Sequence, residues 1–318
     1  MEKESGKLLE VKNLKKYFRT KSGPLCAVDD VSFNIYKGRT LGLVGESGCG
    51  KSTAGRTILR LHEPTAGDVY FEGENVVAFS KSKMKNMRKQ MQIVFQDPYS
   101  SLNPRMDVKS LIEDSLKVSG GGESKKEREE KVRETMSVVG LEQRLVSSYP
   151  HELDGGRRQR IGIARALILN PKFIVMDEPV SALDVCVQAQ ILNLLARLQE
   201  QFGLTYLFIS HNLSVVKHVS DRVAVMYLGK IVEIASYRDI FKKPLHPYTQ
   251  ALLSAILLPK IHVRQERIIL EGDITSPVNP PPGCRFESRC RMARPLCREQ
   301  CPELRNIGDT VVACHFAG

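Results

Sequence analysis

The spacing of apolar residues in the first quarter of the chain predicts a layer of short strands. Apolar and polar residues alternate over Leu9–Lys15 and Val31–Tyr36, as they do in half-buried strands. Short apolar strands are predicted at Thr40–Val44 and Val69–Phe71, with a helix over Lys51–Arg60 between them. Because short turns join these strands, we expect an antiparallel layer against the first part of a parallel sheet.

The pattern changes twice in the remainder of the chain. The segments VKSLIEDSLKV and KKEREEKVRETMSVVG have helical spacing and many charges, so we predict a helical insertion over about residues 98–165. Strands and helices alternate between Phe173 and Met226, which favours a parallel, right-handed α/β sheet. The stretch SPVNPPPG at 276–283 has too many prolines for a helix or an inner strand.

Composition limits the class of protein. A length of 318 residues suggests two domains, and we place them at 1–240 and 241–318. The apolar fraction of 42% excludes a disordered chain. No apolar run approaches the ~18–20 residues of a membrane span, and the charged start MEKESGKLLE has no signal-peptide core, so we expect a cytoplasmic location. The net charge of +11 permits phosphate ligands, nucleic acid or a membrane surface and selects none of them.

A glycine-rich motif marks a candidate phosphate site. Gly45–Ser52 reads GESGCGKS, which fits G-x-x-x-x-G-K-[ST] between a predicted strand and a predicted helix. Backbone amides of such a turn point at phosphate oxygens, and the helix N-terminus adds positive charge. We expect Lys51 to reach the β- and γ-phosphates of ATP and Ser52 to bind Mg²⁺. The predicted nucleotide contacts are Gly45, Ser47, Gly48, Cys49, Gly50, Lys51, Ser52 and Thr53.

Two carboxylates follow a predicted buried strand in the sequence FIVMDEP. The strand brings Asp177 to its C-terminal end, where α/β folds bind ligands. We expect Asp177 to hold Mg²⁺ through water and Glu178 to polarise an attacking water as general base. Taken alone, the same pair could cap a turn; the phosphate-binding motif favours the catalytic interpretation.

With these motifs the chain resembles the ATP-binding subunits of ABC transporters. Gln96 in VFQDPYSSLNP matches the glutamine loop, which contacts Mg²⁺ or water and senses the membrane partner. Ser181–Asp184 matches the D-loop of the dimer interface, and His211 in FISHN matches the switch histidine near the γ-phosphate. Tyr17 matches the aromatic residue that stacks on adenine, with Phe18 as a competing candidate and a strand-edge role as the structural alternative. The resemblance implies a P-loop NTPase fold of ABC type, with a RecA-like α/β core, an antiparallel β subdomain, a helical insertion and a small Cys-rich C-terminal extension.

The family signature, ordinarily LSGGQ, is altered in this chain, where Leu153–Arg157 reads LDGGR. In the family the signature serine donates a hydrogen bond to ATP of the partner subunit, and Asp154, Gly155 and Gly156 are the matching contacts here. An ionised Asp154 only accepts hydrogen bonds, and at ~4 Å and an effective dielectric near 20 it repels a phosphate charge by about 4 kcal/mol before relaxation. Arg157 can offset part of this repulsion by pairing with Asp154 or a phosphate. We therefore predict a heterodimer in which this chain's own ATP site is competent and the partner's is impaired; the alternative is a tolerated variation of little effect.

The C-terminal part carries five of the eight cysteines within its last 35 residues. LHPYTQALLSAI and PPGCRFESRC resemble the extension of ATPase subunits from oligopeptide and dipeptide importers, many of which carry a [4Fe–4S] site there. The matching residues are Cys284, Cys290, Cys297 and Cys314, with Cys301 as a spare. Four thiolates suit an iron–sulfur cluster or zinc, and the spacing alone does not choose between these metals and free thiols.

The resemblance implies an ATP-hydrolysing motor for the import of di- and oligopeptides, with ATP and Mg²⁺ as cofactors. It also implies a place at the cytoplasmic face of the membrane, beside a second ATPase subunit, two permease subunits and, indirectly, an extracellular solute-binding protein. Import of oligosaccharides or nickel is an alternative, as is a soluble ABC ATPase. The basic stretch KSKMKNMRKQ lacks interleaved aromatic residues, so we interpret it as a solvated surface and expect no nucleic acid partner. A small-molecule kinase would leave the signature and His211 unexplained.

Overall fold

The structure, a computed structural model, describes residues 6–120, 122–256, 267–270, 272 and 276–318. Half of the N-terminal segment MEKESGKLLE used above is described, and its first five residues lie outside this part of the chain. None of the helices in these ranges combines the length and apolarity that crossing a membrane requires.

The secondary structure alternates strands and helices along most of the chain. The strands are β1 (Lys7–Thr20), β2 (Gly23–Tyr36), β3 (Thr40–Val44), β4 (Ala66–Phe71), β5 (Glu74–Asn75), β6 (Met91–Val94), β7 (Phe173–Asp177), β8 (Thr205–Ser210), β9 (Arg222–Tyr227), β10 (Lys230–Ser236), β11 (Arg305–Ile307) and β12 (Thr310–Val312). The helices are α1 (Lys51–Ile58), α2 (Lys81–Gln90), α3 (Pro98–Ser101), α4 (Val108–Ser119), α5 (Lys125–Val138), α6 (Gly155–Leu167), α7 (Val185–Phe202), α8 (Leu213–Val219), α9 (Tyr237–Lys242), α10 (Pro247–Ser254) and α11 (Pro295–Glu299).

The chain forms two compact units, and it passes from one to the other more than once. The first, here called the helical unit, contains Tyr36–Arg39 and Ala78–Leu207. The second, here called the P-loop unit, contains Lys7–Ile35, Thr40–Val77 and Phe208–Gly318. The C-terminal residues are thus grouped with the phosphate-binding motif.

The P-loop unit contains two sets of paired strands. In the first, the order is β2-β1-β4-β5, and β4 pairs antiparallel with both β1 and β5, which confirms the predicted antiparallel layer. In the second, β3 lies parallel to β9, and β10 pairs antiparallel with β9. β12 pairs antiparallel with both β10 and β11. The last two strands of the chain therefore extend the set of strands that contains β3.

An aromatic cluster anchors the C-terminal region within the P-loop unit. Tyr227, Tyr248 and Phe286 are each buried and meet edge-on or tilted, with ring centroids 4.7–5.4 Å apart. Such aromatic contacts add to the hydrophobic stabilisation that each ring gains on burial. A second tie lies before Phe286 in the sequence: the carbonyl of Pro277 accepts from Cys26 N–H of β2 at 3.0 Å. The proline-rich stretch is thereby tied to β2 without itself being an inner strand.

The helical unit has a small parallel pair and a group of capped helices. β6 lies parallel to β7, so that Met91 stands opposite Phe173. Asp107 caps the N-terminus of α4 by accepting from Ser110 N–H, and α5 begins with a capping box. The basic stretch KSKMKNMRKQ, which we interpreted as a solvated surface, forms α2. Met84 is its one buried residue, so the expected exposure is confirmed. Its helical form was not predicted.

Candidate nucleotide-binding site

The phosphate-binding loop follows the fully buried strand β3 and ends at the first turn of α1. Gly45, Gly48 and Gly50 all have positive φ angles, a region that disfavours residues with a Cβ. A Cβ on Gly45 would collide with the Met226 carbonyl, and one on Gly50 with the Ala27 carbonyl. These two positions therefore require glycine for the loop to lie close to the neighbouring backbone.

Lys51 holds its ammonium group inside this loop. Its side chain is buried, and Nζ donates to the carbonyls of Gly45 and Glu46, both at 2.9 Å. Ser52 and Thr53 follow on the first turn of α1, each half-buried. Gly50, which precedes α1, has no side chain to cap the helix, so the helix N-terminus is suited to an anion.

Cys49, within the same loop, is buried, and burial raises the pKa of its thiol in spite of the nearby Lys51 ammonium. The protonated form is therefore favoured at neutral pH, and a thiol is much less reactive than a thiolate. This makes Cys49 a packing residue of the loop.

Tyr17, the predicted adenine contact, has a fixed hydroxyl group. It donates to one oxygen of Asp29, whose other oxygen accepts from Arg285 in the C-terminal region. Burial and the hydrogen bond to Asp29 raise the pKa of Tyr17 above its ordinary value. The ring of Phe18, the competing candidate, stands edge-on to His62 at 5.7 Å between centroids.

His211 follows β8 in the P-loop unit and is exposed. Asn212, the next residue, caps α8 by accepting from Ser214 N–H at 2.9 Å. The histidine is therefore held between the end of a strand and a capped helix, which fixes the backbone on both sides of it.

The two acidic residues predicted as site residues from FIVMDEP stand at the end of β7, which is buried along its whole length. Asp177 is fully buried and Glu178 nearly so. Glu178 has a φ of 47°, a strained conformation for a residue other than glycine and one that is often found at functional sites. Gln96, just after β6, donates from Nε2 to Glu178 Oε2 at 3.1 Å. The parallel pairing of β6 and β7 thus brings together two predicted site residues that are 82 positions apart.

The altered signature forms the start of α6. Asp154 caps this helix: Oδ1 accepts from Arg157 N–H at 2.7 Å, and Oδ2 accepts from the Arg157 guanidinium at 2.9 Å. The Arg157 guanidinium also pairs with Glu142 at 3.2 Å. The pairing of Asp154 with Arg157, one of the two arrangements considered from the sequence, is therefore present.

Gly155 and Gly156 pack closely against neighbouring side chains within the helical unit. A Cβ on Gly156 would approach Val187 Cγ1 to 2.7 Å, and one on Gly155 would approach Leu183 Cδ2 to 3.0 Å. The signature helix therefore lies against the D-loop and the start of α7. No local feature of the sequence indicates this contact.

The D-loop leads into α7, which Asp184 caps by accepting from Val187 N–H at 2.9 Å. Ser181 Oγ donates to the Glu178 carbonyl at 3.1 Å, so the loop is tied to the acidic residues before it. Val185, the first residue of α7, leaves 79% of its surface exposed.

Several cysteines of the tail lie near enough to one another to affect the pKa of Cys284. Burial raises the pKa of Cys284 to about 12, and Cys297, Cys301 and Cys290 contribute to the rise. The backbone N–H of Cys284 donates to the carbonyl of Cys297 at 2.7 Å. Soft sulfur donors gathered in this way suit iron or zinc. Within the described ranges, however, no group of three or more His, Cys, Asp or Glu side chains is arranged to hold a metal ion.

Two functional candidates were not found from the sequence, namely Arg285 and Arg289. Arg285 donates to Asp29, the residue that accepts from the hydroxyl of Tyr17. Arg289 donates to Glu46 of the phosphate-binding loop. The only sequence signal for them is the motif PPGCRFESRC, in which each arginine stands directly beside a cysteine.

Comparisons with known proteins agree with this geometry. A family model described as "ABC transporter" matches residues 28–181, and one described as "Oligopeptide/dipeptide transporter, C-terminal region" matches residues 232–297. The oligopeptide transport ATP-binding protein AppF of Bacillus subtilis is 52% identical over 97% of each chain. A putative peptide import ATP-binding protein of Brucella ovis is 53% identical over 94% of each chain.

Among solved structures, the dimeric ATP-binding cassette MJ0796 bound to ADP and Pi has a TM-score of 0.66 and 29% identity, covering 72% of this chain and 99% of its own. The CbiO1 protein of Clostridium perfringens, part of an ABC transporter complex, also has a TM-score of 0.66, with 25% identity and coverage of 74% and 91%.

The fold and the motifs define an ABC-type P-loop ATPase, as the sequence predicted. More particularly, the chain belongs to the family of ATP-binding subunits of oligopeptide and dipeptide ABC transporters.

Proposed function

We propose that this chain hydrolyses ATP at its own phosphate-binding loop to drive the uptake of di- and oligopeptides. The match of residues 232–297 to the oligopeptide/dipeptide transporter region carries the peptide assignment, and the names of the relatives support it. The loop around Lys51 and the contact of Gln96 with Glu178 support an active ATP site. The chain would work at the cytoplasmic face of the membrane with two permease subunits and, indirectly, a solute-binding protein.

The proposed roles of the site residues follow the family pattern. Ser52, Asp177 and Gln96 bind Mg²⁺ directly or through water, and Glu178 polarises the attacking water. His211 contacts the γ-phosphate, and Tyr17 stacks on adenine. The hydrogen bond from Tyr17 to Asp29 supports this choice over Phe18, because it fixes the orientation of the ring.

Reconstitution tests the peptide assignment. The chain, its permease subunits and the second ATPase subunit would be placed in liposomes, with ATP on the side of the ATPase subunits and the solute-binding protein on the other. Uptake of radiolabelled tri- to pentapeptides that depends on ATP is the expected result. ATP-dependent uptake of nickel or an oligosaccharide, with no uptake of peptide, would contradict the peptide assignment while leaving the ATPase assignment intact.

We further propose that the chain works in a heterodimer whose two ATP sites are unequal. The Asp154 carboxylate occupies the N-terminus of α6, the end of the helix that would otherwise attract an anion. Arg157 offsets this charge only in part, because both side chains are about half exposed and exposed ion pairs are weak. A phosphate facing this helix therefore meets an acceptor where the family places a hydroxyl donor.

Restoring the signature should activate the impaired site. The double substitution Asp154→Ser, Arg157→Gln is expected to raise ATP turnover of the complex about twofold, because a hydroxyl donor then faces the second γ-phosphate. Phosphate release per complex measures the change. Glu142→Gln, which neutralises the second carboxylate paired with Arg157 and also its pair with Arg144, leaves the signature sequence unchanged and is the matched control. Unchanged rate and stoichiometry in the restored complex would leave the altered signature a tolerated variation.

We also propose a [4Fe–4S] cluster held by Cys284, Cys290, Cys297 and Cys314, with Cys301 as a spare. The family resemblance supports the cluster and favours iron over zinc, whereas no metal-holding group is formed among the described residues. An anaerobic preparation is expected to be brown, with iron, sulfide and an absorption band near ~400 nm. The double variant Cys284→Ser, Cys301→Ser, which also removes the spare, should lose the band, whereas Cys186→Ser, a change on α7, should keep it. Metal analysis that finds only zinc, or no metal at all, would contradict the cluster.

A further inference from the structure

Glu46, the second residue of the phosphate-binding loop, is held by groups from the C-terminal region. Its backbone N–H donates to the Tyr248 hydroxyl at 2.9 Å. Its carboxylate pairs with Arg289 in two places, Nη1 to Oε2 at 2.9 Å and Nη2 to Oε1 at 3.3 Å. Its carbonyl accepts from Lys51. Three separate contacts therefore fix one loop residue, and two of them come from the tail.

Arg289 is itself rigidly placed. Its side chain is only 9% exposed, and the residue lies three positions after Phe286 of the aromatic cluster. The Tyr227 hydroxyl lies 3.5 Å from Nη1 of the same guanidinium. A two-pronged arginine–carboxylate pair held by packing has a defined geometry, unlike a flexible surface pair.

The charge of Glu46 explains why such a partner is needed. A carboxylate in a loop that receives a triphosphate repels the ligand, and it does so strongly where water is excluded. Arg289 neutralises this carboxylate from the side of the tail. It also fixes the loop in one conformation, and preorganisation of a binding site increases affinity by reducing the ordering cost.

We propose that Arg289 is a positioning residue for ATP binding, acting through Glu46, so that the C-terminal region sets the nucleotide affinity of this chain. Arg285, four residues earlier, makes a parallel connection to Asp29 and thereby to Tyr17. That second connection rests on the proposed adenine contact, whereas the role of Arg289 rests only on ATP binding at the loop.

The affinity of the full chain for MgATP tests the role of Arg289. Displacement of a methylanthraniloyl-labelled ATP gives the Kd, and thermal unfolding without nucleotide reports folding separately. Arg289→Ala is expected to weaken binding about tenfold, since it leaves the Glu46 carboxylate uncompensated in the loop. The control is Arg298→Ala, which removes a tail arginine paired with Glu287 at 2.8 Å and should leave the Kd unchanged.

A second substitution distinguishes this role from general support of the fold. Adding Glu46→Gln to Arg289→Ala removes the uncompensated charge, so the double variant should recover affinity to within about threefold of wild type. A folded Arg289→Ala variant with wild-type affinity, or a double variant as weak as the single, would overturn the proposal. If Arg289→Ala does not fold, the longer Arg289→Gln permits the same comparison. Binding of ATP by the wild-type chain is measured in the same assay, so failure of the peptide assignment would not affect the result.

Discussion

Replacing Glu178 by glutamine should slow ATP hydrolysis by the assembled transporter about 100-fold or more, while ATP still binds. The Glu178 carboxylate is nearly buried, follows the Mg²⁺ candidate Asp177 and accepts from Gln96. Glutamine keeps the size of the side chain but cannot take up a proton at neutral pH. Phosphate release measures turnover, and displacement of a fluorescent nucleotide measures binding.

The same experiment reports on the equality of the two ATP sites. If the partner's site is impaired, Glu178→Gln removes nearly all ATP turnover of the complex. If that site is fully active and independent, about half of the wild-type turnover remains. Glu134→Gln, on the exposed side of α5, is the matched control and should leave turnover unchanged. A residual rate near that of wild type would mean that Glu178 is not the general base.

Lys51→Ala is expected to weaken MgATP binding about 100-fold, because the ammonium group supplies the one side-chain positive charge inside the described loop. The carbonyls of Gly45 and Glu46 would then face the nucleotide without the donor between them. The Kd for MgATP measures the loss. Lys242→Ala, on the exposed end of α9, removes an equal charge from the P-loop unit and serves as the control.

A folded Lys51→Ala variant whose Kd stays within about threefold of wild type would contradict the assignment of the phosphate site. Thermal unfolding of the nucleotide-free variant distinguishes lost affinity from lost structure. The comparison with Arg289→Ala is also informative. Loss at Lys51 removes a direct phosphate contact, so its effect should exceed that of a residue that acts through Glu46.

The site residues that could be predicted from the sequence are those whose chemistry depends on neighbouring positions. The phosphate-binding loop is a continuous motif, since its backbone amides and Lys51 must come from one turn. Asp177 and Glu178 could be recognised for a similar reason, because a buried strand directly precedes them. Strand β3 was predicted with its observed bounds, Thr40–Val44, from its continuous apolar run.

Several of the elements that were missed are made by distant pairing. β6 has four residues and gains its strand conformation beside β7, about 80 residues later in the chain. β11 and β12 have three residues each, and β12 gains its strand conformation by pairing with β10. The pair of Glu46 with Arg289 spans 243 positions, so no local pattern could contain it. The Cys-rich tail was predicted as an extension, but its strands and its contact with the loop were not.

The exposed start of α7 gives the chain a natural attachment point for a spectroscopic probe. Of the eight cysteines, all within the described ranges, Cys186 alone is exposed, whereas Cys49 of the loop is buried. Cys186 lies two residues after Asp184, beside the exposed Val185. A maleimide dye or spin label would therefore react there first and would stand at the surface where the family joins its two ATPase subunits. The distance from this label to one on the proposed second ATPase subunit could follow the closing of the proposed dimer around ATP, with no engineered cysteine in this chain.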